Sequence, residues 1–280
     1  EWLEGLRDPT QLMPTFAAAA GAVIDAMAKT HPAQINSIRT AVKYSEKFAS
    51  DKVKNGMVDP NGLSGDEIAA LNLYTRGGQG YSVYYTLNKE LRAGDAQDRA
   101  SFRDLTRLLL SAMDKIPRGV SDHQSRRVVF RGWDCELPAG YDVHATVTWA
   151  AFSSCSTSDR ISANFLRQGG RKTLFCITLA GHAGRSIVEY SSLPSEEEVL
   201  LAAGTRILIT NTFYANKGFM MVMAEELETA AEAAEQGRRT KLDGAEIERL
   251  TTELFIGSDG EEASDVDLSQ LSALLSATSV

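Results

Sequence analysis

A change of hydrophobic period near residue 120 constrains this chain more than any other feature. Up to Pro117 the apolar residues recur at three- and four-residue steps; beyond about residue 126 they come in short β-branched and aromatic runs bounded by Gly, Pro, Ser and Asp. The two periods bury different faces, so a helical part has to come first and a β-rich part second. Ser64 and Glu67 have the spacing of a capping box, with Ile68, Leu71 and Tyr74 following on one face, which predicts a helix from 64 to about 74. Leu87 and Leu91 continue the pattern, and Phe102, Leu105, Leu109, Met113 and Ile116 mark a further helix that Pro117 ends. Strands are expected at 128–131, 145–152, 173–179, 187–191, 198–201, 206–212 and 219–224. With no helices between them, they favour antiparallel sheets over βαβ units. The expected fold class is therefore α+β, an N-terminal helical lobe packed on an antiparallel β-sandwich. Its expected divisions are a helical extension at 1–63, a main domain at 64–224 (helical to 120, β-rich from 126) and a tail at 225–280. That tail begins rich in Ala and Glu, with a helix near 245–255, and ends acidic and small.

Composition excludes several classes of function. The 280 residues, 43% of them hydrophobic, are enough for one large core or a main domain with a smaller lobe. A formal net charge of -8 argues against nucleic acid as a partner, since phosphate contacts need clustered Lys and Arg. Three cysteines, Cys135, Cys155 and Cys176, are an odd number and read as reduced thiols. No run of 18 apolar residues occurs, and the Ala-rich stretch 16–28 is too short and interrupted for a membrane span, so no membrane partner is expected. The four histidines lack ligand spacing, so no metal is expected. No GxSxG, P-loop or GxGxxG fingerprint appears either.

Three local features carry chemistry. Arg131 closes the apolar run Phe130-Arg131-Gly132, where an exposed strand-end charge is the ordinary interpretation. Phe152 leads into the hydroxyl cluster Ser153-Ser154-Cys155-Ser156-Thr157-Ser158, which otherwise reads as a turn or cap. Glu196-Glu197-Glu198 precede Val199-Leu200-Leu201. Strand alternation would point Glu196 and Glu198 to one side and Glu197 to the other, a geometry suited to a shared site rather than to a solvated charge run.

In this order the three features resemble the R-S-E class of mono-ADP-ribosyltransferases, the arginine-type E-x-E toxin and effector family. Its pattern is an Arg ending a first strand, an F-x-S-x-S strand end, and then E-x-E-V-L. The resemblance covers about residues 64–224 and takes in Leu73-Tyr74-Thr75, Leu87-Asn88-Lys89-Glu90-Leu91-Arg92 and Ala112-Met113-Asp114-Lys115-Ile116-Pro117 upstream. It implies an ADP-ribosyltransferase core that takes NAD as co-substrate and moves its ADP-ribose to a side chain of a target protein. Glu198 would stabilise the developing ribose cation and hold the 2′-hydroxyl. Glu196 would activate an incoming arginine. Arg131, with Gly132 beside it, would bind the pyrophosphate, and Ser154, with Ser156 as the alternative, would orient Glu198 and the ribose. Phe165, eleven residues past Ser154, stands where some toxin members stack an aromatic on nicotinamide, with core packing an equal reading.

The resemblance further implies a monomer secreted as a bacterial effector or toxin and acting on a host protein in the host cytosol. Leu193 departs from the family by standing where relatives often place an aromatic residue. Transfer to threonine or another side chain, on targets such as ubiquitin or actin, therefore remains an alternative, as does NAD glycohydrolysis. A non-enzymatic binding module ranks last. Cys155 has no base at motif spacing, so it is read as a small buried residue rather than a nucleophile. Cys155→Ala should therefore keep full NAD-dependent activity, as measured by nicotinamide release.

Overall fold

Helix α4 (Gly65–Thr75) begins where the Ser64 and Glu67 spacing predicts. Ser64 Oγ accepts from the Glu67 backbone N–H at 3.3 Å, and the Glu67 carboxylate accepts from the Ser64 N–H at 2.7 Å. The computed structural model describes residues 2–78, 81–117, 127–157, 172–179, 184–214 and 220–227. These fall into two units. One draws its described residues from Glu1–Pro117, Ala150–Ser153 and Arg185–Gly204, the other from Arg118–Trp149, Ser154–Gly184 and Thr205–Val280.

The first unit is built around α4, in which every residue from Glu67 to Thr75 is buried. Helices α1 (Trp2–Leu6), α2 (Phe16–Thr30), α3 (Ile35–Lys52), α5 (Val83–Ala93), α6 (Ala96–Ser101) and α7 (Arg103–Lys115) complete its helical part, with α2, α3 and α7 packed on α4. A two-residue ladder, β1 (Gly77–Gly78) with β2 (Tyr81–Ser82), leads into α5. The run Phe102 to Ile116 supplies Leu105, Leu108, Leu109 and Met113 to the core, as its period requires. Arg107, also buried, donates to the carbonyls of Leu6, Gln11 and Leu12 at 3.4, 3.1 and 3.0 Å and so pins the segment before α2.

A helix buried on all sides must pair its charges. Besides the cap, Glu67 accepts from Ser111 Oγ at 2.6 Å and Lys115 Nζ at 2.7 Å, both on α7. Burial is the largest single influence on its carboxyl and opposes ionisation. The donors from Lys115, Ser111 and Ser64 together outweigh it and hold the group below the usual carboxylate range.

The second unit is a sheet. Its strands are β3 (Arg127–Trp133), β4 (Thr146–Trp149), β5 (Ser153–Ser156, whose first residue falls in the other unit), β6 (Thr173–Leu179), and later β9 (Thr205–Tyr214) and β10 (Met220–Glu226). Within the unit they lie in the order β4-β9-β10-β6-β3-β5. β6 sits between β10 and β3 and is apolar on both faces, which explains its unbroken run Leu174-Phe175-Cys176-Ile177. Four aromatic rings, those of Trp133, Tyr141, Trp149 and Phe175, form a cluster with centroid separations from 4.6 to 5.9 Å.

The α+β expectation holds, with the helical lobe in the first half of the chain. The sheet, however, is mixed: β10 runs parallel to β6 while its other neighbour β9 is antiparallel. The expected strand at 187–191 is a correction. β7 (Gly184–Ser186) ends before it, and the backbone N–H groups of Tyr190 and Ser191 both donate to the Ile187 carbonyl at 2.9 Å, closing a turn. Ile187, Val188 and Tyr190 give the segment the composition of a strand, but its backbone pairs locally. β8 (Glu198–Leu201) lies where it is expected. The helix at 245–255, the tail beyond 227 and Phe165 lie outside the described residues.

Because the folded-state pKa of Glu67 is depressed, its contribution to stability is present above the ordinary carboxylate pKa and is lost as pH falls through the folded value. Glu67→Gln should lower unfolding free energy by about 2 kcal/mol at pH 7, the scale of a buried charge-assisted hydrogen bond lost. In urea titrations the gap to wild type should close as pH falls through the lowered folded-state pKa. A constant gap would mean that charge at Glu67 is irrelevant.

Candidate active site

Arg131 sits in β3 with Phe175 of β6 as its register partner, and Gly132 beside it pairs with Leu174. Its side chain reaches along the sheet, where Nη1 donates to the Ser154 carbonyl at 2.6 Å. The guanidinium carbon lies 5.7 Å from the centre of the Trp149 ring, within cation–π range. Nε is buried and has no hydrogen-bond partner among the described residues. A buried donor without an acceptor is costly, and one on a guanidinium fork suits a doubly negative, multi-oxygen ligand such as a pyrophosphate. The residues present thus fit the phosphate end of NAD.

The structure brings Ser154 to Arg131 through the serine's backbone. Along β5, Ser154 is exposed while Ser153, Cys155 and Ser156 are buried, so the motif serine is the one open to a ligand. Cys155 at 4% exposure is a small buried residue, as its sequence context implies. Among the described cysteines only Cys135 is exposed, and burial pushes the Cys176 thiol up to about 12.

The acidic motif belongs to the other unit and is built differently from its sequence reading. Pro194–Glu196 forms a single 3-10 turn, in which Glu196 N–H donates to the Leu193 carbonyl at 3.1 Å. Glu197 follows in the left-handed region, at φ 47° and ψ 46°, and only Glu198 enters the strand. Strand alternation therefore does not relate Glu196 to Glu198. A left-handed residue stands between them instead, with Glu196 exposed and Glu198 4% exposed. The Glu198 carbonyl accepts from the Ile187 N–H at 3.1 Å, tying the start of β8 to the chain just after β7.

Ahead of this turn, residues that the sequence does not single out hold the chain. Tyr190 is 2% exposed, and its hydroxyl donates to the Asp59 carboxylate, 2.9 and 3.0 Å from its two oxygens. Burial first, and the Asp59 carboxylate with it, pushes the phenol up to about 12, so it stays protonated in any working range. Asn72 of α4 donates to the Tyr190 carbonyl at 3.0 Å, and Thr75 Oγ1 accepts from the Ser192 N–H at 2.8 Å. The sequence Asp59-Pro60-Asn61-Gly62 is a turn signature, but nothing in it announces a partner 131 residues away. Trp149 likewise reads as an ordinary strand aromatic. Phe165 lies outside the described residues, and no group of metal-binding side chains occurs among those described.

Residues 24–229 match the family model described as "ART: NAD:arginine ADP-ribosyltransferase". Among solved structures, the type III effector XopAI from Xanthomonas axonopodis pv. citri is similar over 81% of this chain and 89% of its own, at 17% identity and a TM-score of 0.54. The ADP-ribosyltransferase Vis in complex with agmatine is 22% identical over 69% of this chain and 87% of its own, with a TM-score of 0.49; Vis is a toxin from Vibrio splendidus. HopU1 of Pseudomonas syringae, also an ADP-ribosyltransferase, is 19% identical over 67% and 85%, again at 0.49. At 17% identity the likeness to XopAI speaks to the fold alone. No curated protein matches.

A non-glycine residue in the left-handed region costs about 1–2 kcal/mol, and most for a β-branched side chain. Glu197→Gly should therefore be more stable than Glu197→Val by about that amount, read as thermal midpoints several degrees apart. Equal midpoints would mean that the turn relaxes out of the left-handed region.

Proposed function

The chain belongs to the NAD:arginine ADP-ribosyltransferase family and is an NAD-dependent protein ADP-ribosyltransferase; on that premise we propose that it modifies an arginine of a host protein as a secreted bacterial effector. The arginine assignment rests on one observation above others: two carboxylates separated by a single left-handed residue, one exposed and one buried. No helix among the described residues is long and apolar enough to cross a membrane.

Each residue then has a distinct task. Arg131 takes the pyrophosphate on its planar fork, using the buried Nε that no described residue satisfies and the Trp149 face that steadies the guanidinium. Ser154, the exposed member of its cluster, orients the ribose. Breaking the bond between nicotinamide and ribose sends its electron pair to the departing nicotinamide and leaves positive charge at the anomeric carbon. Glu198, buried in low dielectric, stabilises that charge. Glu196, on its exposed turn, takes a proton from the incoming guanidinium as the new carbon–nitrogen bond forms. A guanidinium is otherwise charged at every working pH and a poor nucleophile, so an arginine acceptor needs such a base.

NAD labelled in its adenylate half, incubated with the chain and a host-cell lysate, tests the proposal. Label should appear on protein and map to arginine. Glu198→Gln should lower both protein labelling and release of free ADP-ribose by on the order of 10²–10³-fold, the scale of one lost electrostatic stabiliser. Glu196→Gln should lose protein labelling while keeping hydrolysis by water, and Arg131→Lys should raise the KM for NAD roughly tenfold. Labelling that survives Glu196→Gln would move the acceptor away from arginine, and free ADP-ribose alone would make the enzyme a glycohydrolase.

A further inference from the structure

We propose that Tyr190 is a positioning residue of the transferase, a buried anchor that fixes the chain from which Glu196 and Glu198 are presented; this rests on the roles assigned to those two acids above. The chain from Ile187 to Glu198 has two regimes. From Ile187 to Ser192 it is tied at nearly every residue, and from Leu193 to Glu197 it is exposed, held by its own 3-10 turn and left-handed cap. Tyr190 shares the tie with Ser192, whose N–H and Oγ donate to Thr75 at 2.8 and 3.0 Å. The Tyr190 hydroxyl uses both roles open to it, donating to Asp59 and accepting from Asn61 Nδ2 at 2.8 Å, while the residue's carbonyl accepts from Asn72.

The anchor is itself rigidly held. Asp59 is buried, and its Oδ1 also accepts from the backbone N–H groups of Asn61 and Leu63 at 3.0 and 3.1 Å. Asn72 lies in the stretch of α4 from Glu67 to Thr75, every residue of which is buried. Tyr190 lies eight residues before Glu198, so play at the anchor passes into the turn that carries both acids. Reactions that depend on near-attack geometry are sensitive to such play, since misplacement by about 1 Å lowers rates by about a hundredfold. Tyr190 itself reaches no reacting atom, because its ring is buried and its hydroxyl is committed to Asp59 and Asn61.

Tyr190→Phe keeps the ring and removes the hydroxyl, and Asp59→Asn keeps an acceptor for that hydroxyl. Nicotinamide release from NAD is measured on the full chain with agmatine as a small guanidinium acceptor, alongside thermal midpoints. Tyr190→Phe should lower kcat about tenfold while the KM for NAD stays within about twofold of wild type. Asp59→Asn should retain most of the kcat, and the midpoints of both variants should stay above the assay temperature. Amide hydrogen exchange between 187 and 198 should quicken in Tyr190→Phe, a change that a purely global loss of stability would not confine to this stretch. The proposal is overturned by a Tyr190→Phe enzyme with wild-type kcat, by an equal loss in Asp59→Asn, or by a KM for NAD that rises as kcat falls. An inactive wild type overturns the functional reading, and the positioning role with it; an active wild type beside an unaffected Tyr190→Phe overturns the positioning role alone.

Discussion

A helix buried on every side must satisfy each polar group it carries, and the first unit depends on how α4 does so. At its start the Glu67 carboxylate closes the capping box and accepts from Ser111 and Lys115, so one buried charge joins the helix to its own cap and to α7. At its far end Asn72 and Thr75 direct their polar groups at Tyr190 and Ser192. Both ends are under the same penalty for unpaired buried groups. One satisfies it within the helical core and the other by holding the chain that leads to the acids. Packing and chemistry thus share an element, because the helix that can least tolerate loose ends supplies the fixed points for the turn.

The second unit meets a related demand in a sheet. β6 is buried along nearly its whole length, on both faces, so its side chains are apolar without alternation, and the aromatic cluster of Trp133, Tyr141, Trp149 and Phe175 fills the face on which Arg131 also stands. A guanidinium above a tryptophan is tolerated by cation–π attraction, which constrains its plane. With Nη1 held by the Ser154 carbonyl, the buried Nε is the donor that a phosphate oxygen would satisfy. A lysine could make none of this arrangement, since it has neither the plane nor the fork.

The proposed division of labour between the two acids rests on backbone conformation. One left-handed residue, Glu197, separates an exposed carboxylate from a buried one, and no side-chain chemistry distinguishes the pair. Exposure suits a base that meets an incoming side chain, and burial suits a charge that must act in low dielectric.

How much of this was legible in the sequence follows from the range of the forces involved. The capping box of α4, the helix ended by Pro117 and the strands at 173–179 and 198–201 were readable because period, cap and breaker are local properties of the chain. The order Arg131, Ser154, Glu196 and Glu198 was readable as a family pattern for the same reason. Three things were not. The segment 187–191 has the composition of a strand but turns, since Tyr190 and Ser191 pair back to the Ile187 carbonyl while Asn72, more than a hundred positions away, takes the Tyr190 carbonyl. Glu196 lost its expected strand geometry because a left-handed φ at a glutamate has no sequence signature. Trp149 beneath Arg131, and Asp59 beneath Tyr190, are pairings between residues far apart in the chain. The sequence by itself determined the elements that period, cap and breaker mark, and the family pattern of residues; the tertiary structure alone decided which carboxylate is buried and what holds its turn, because desolvation and long-range hydrogen bonding exist only once distant segments meet.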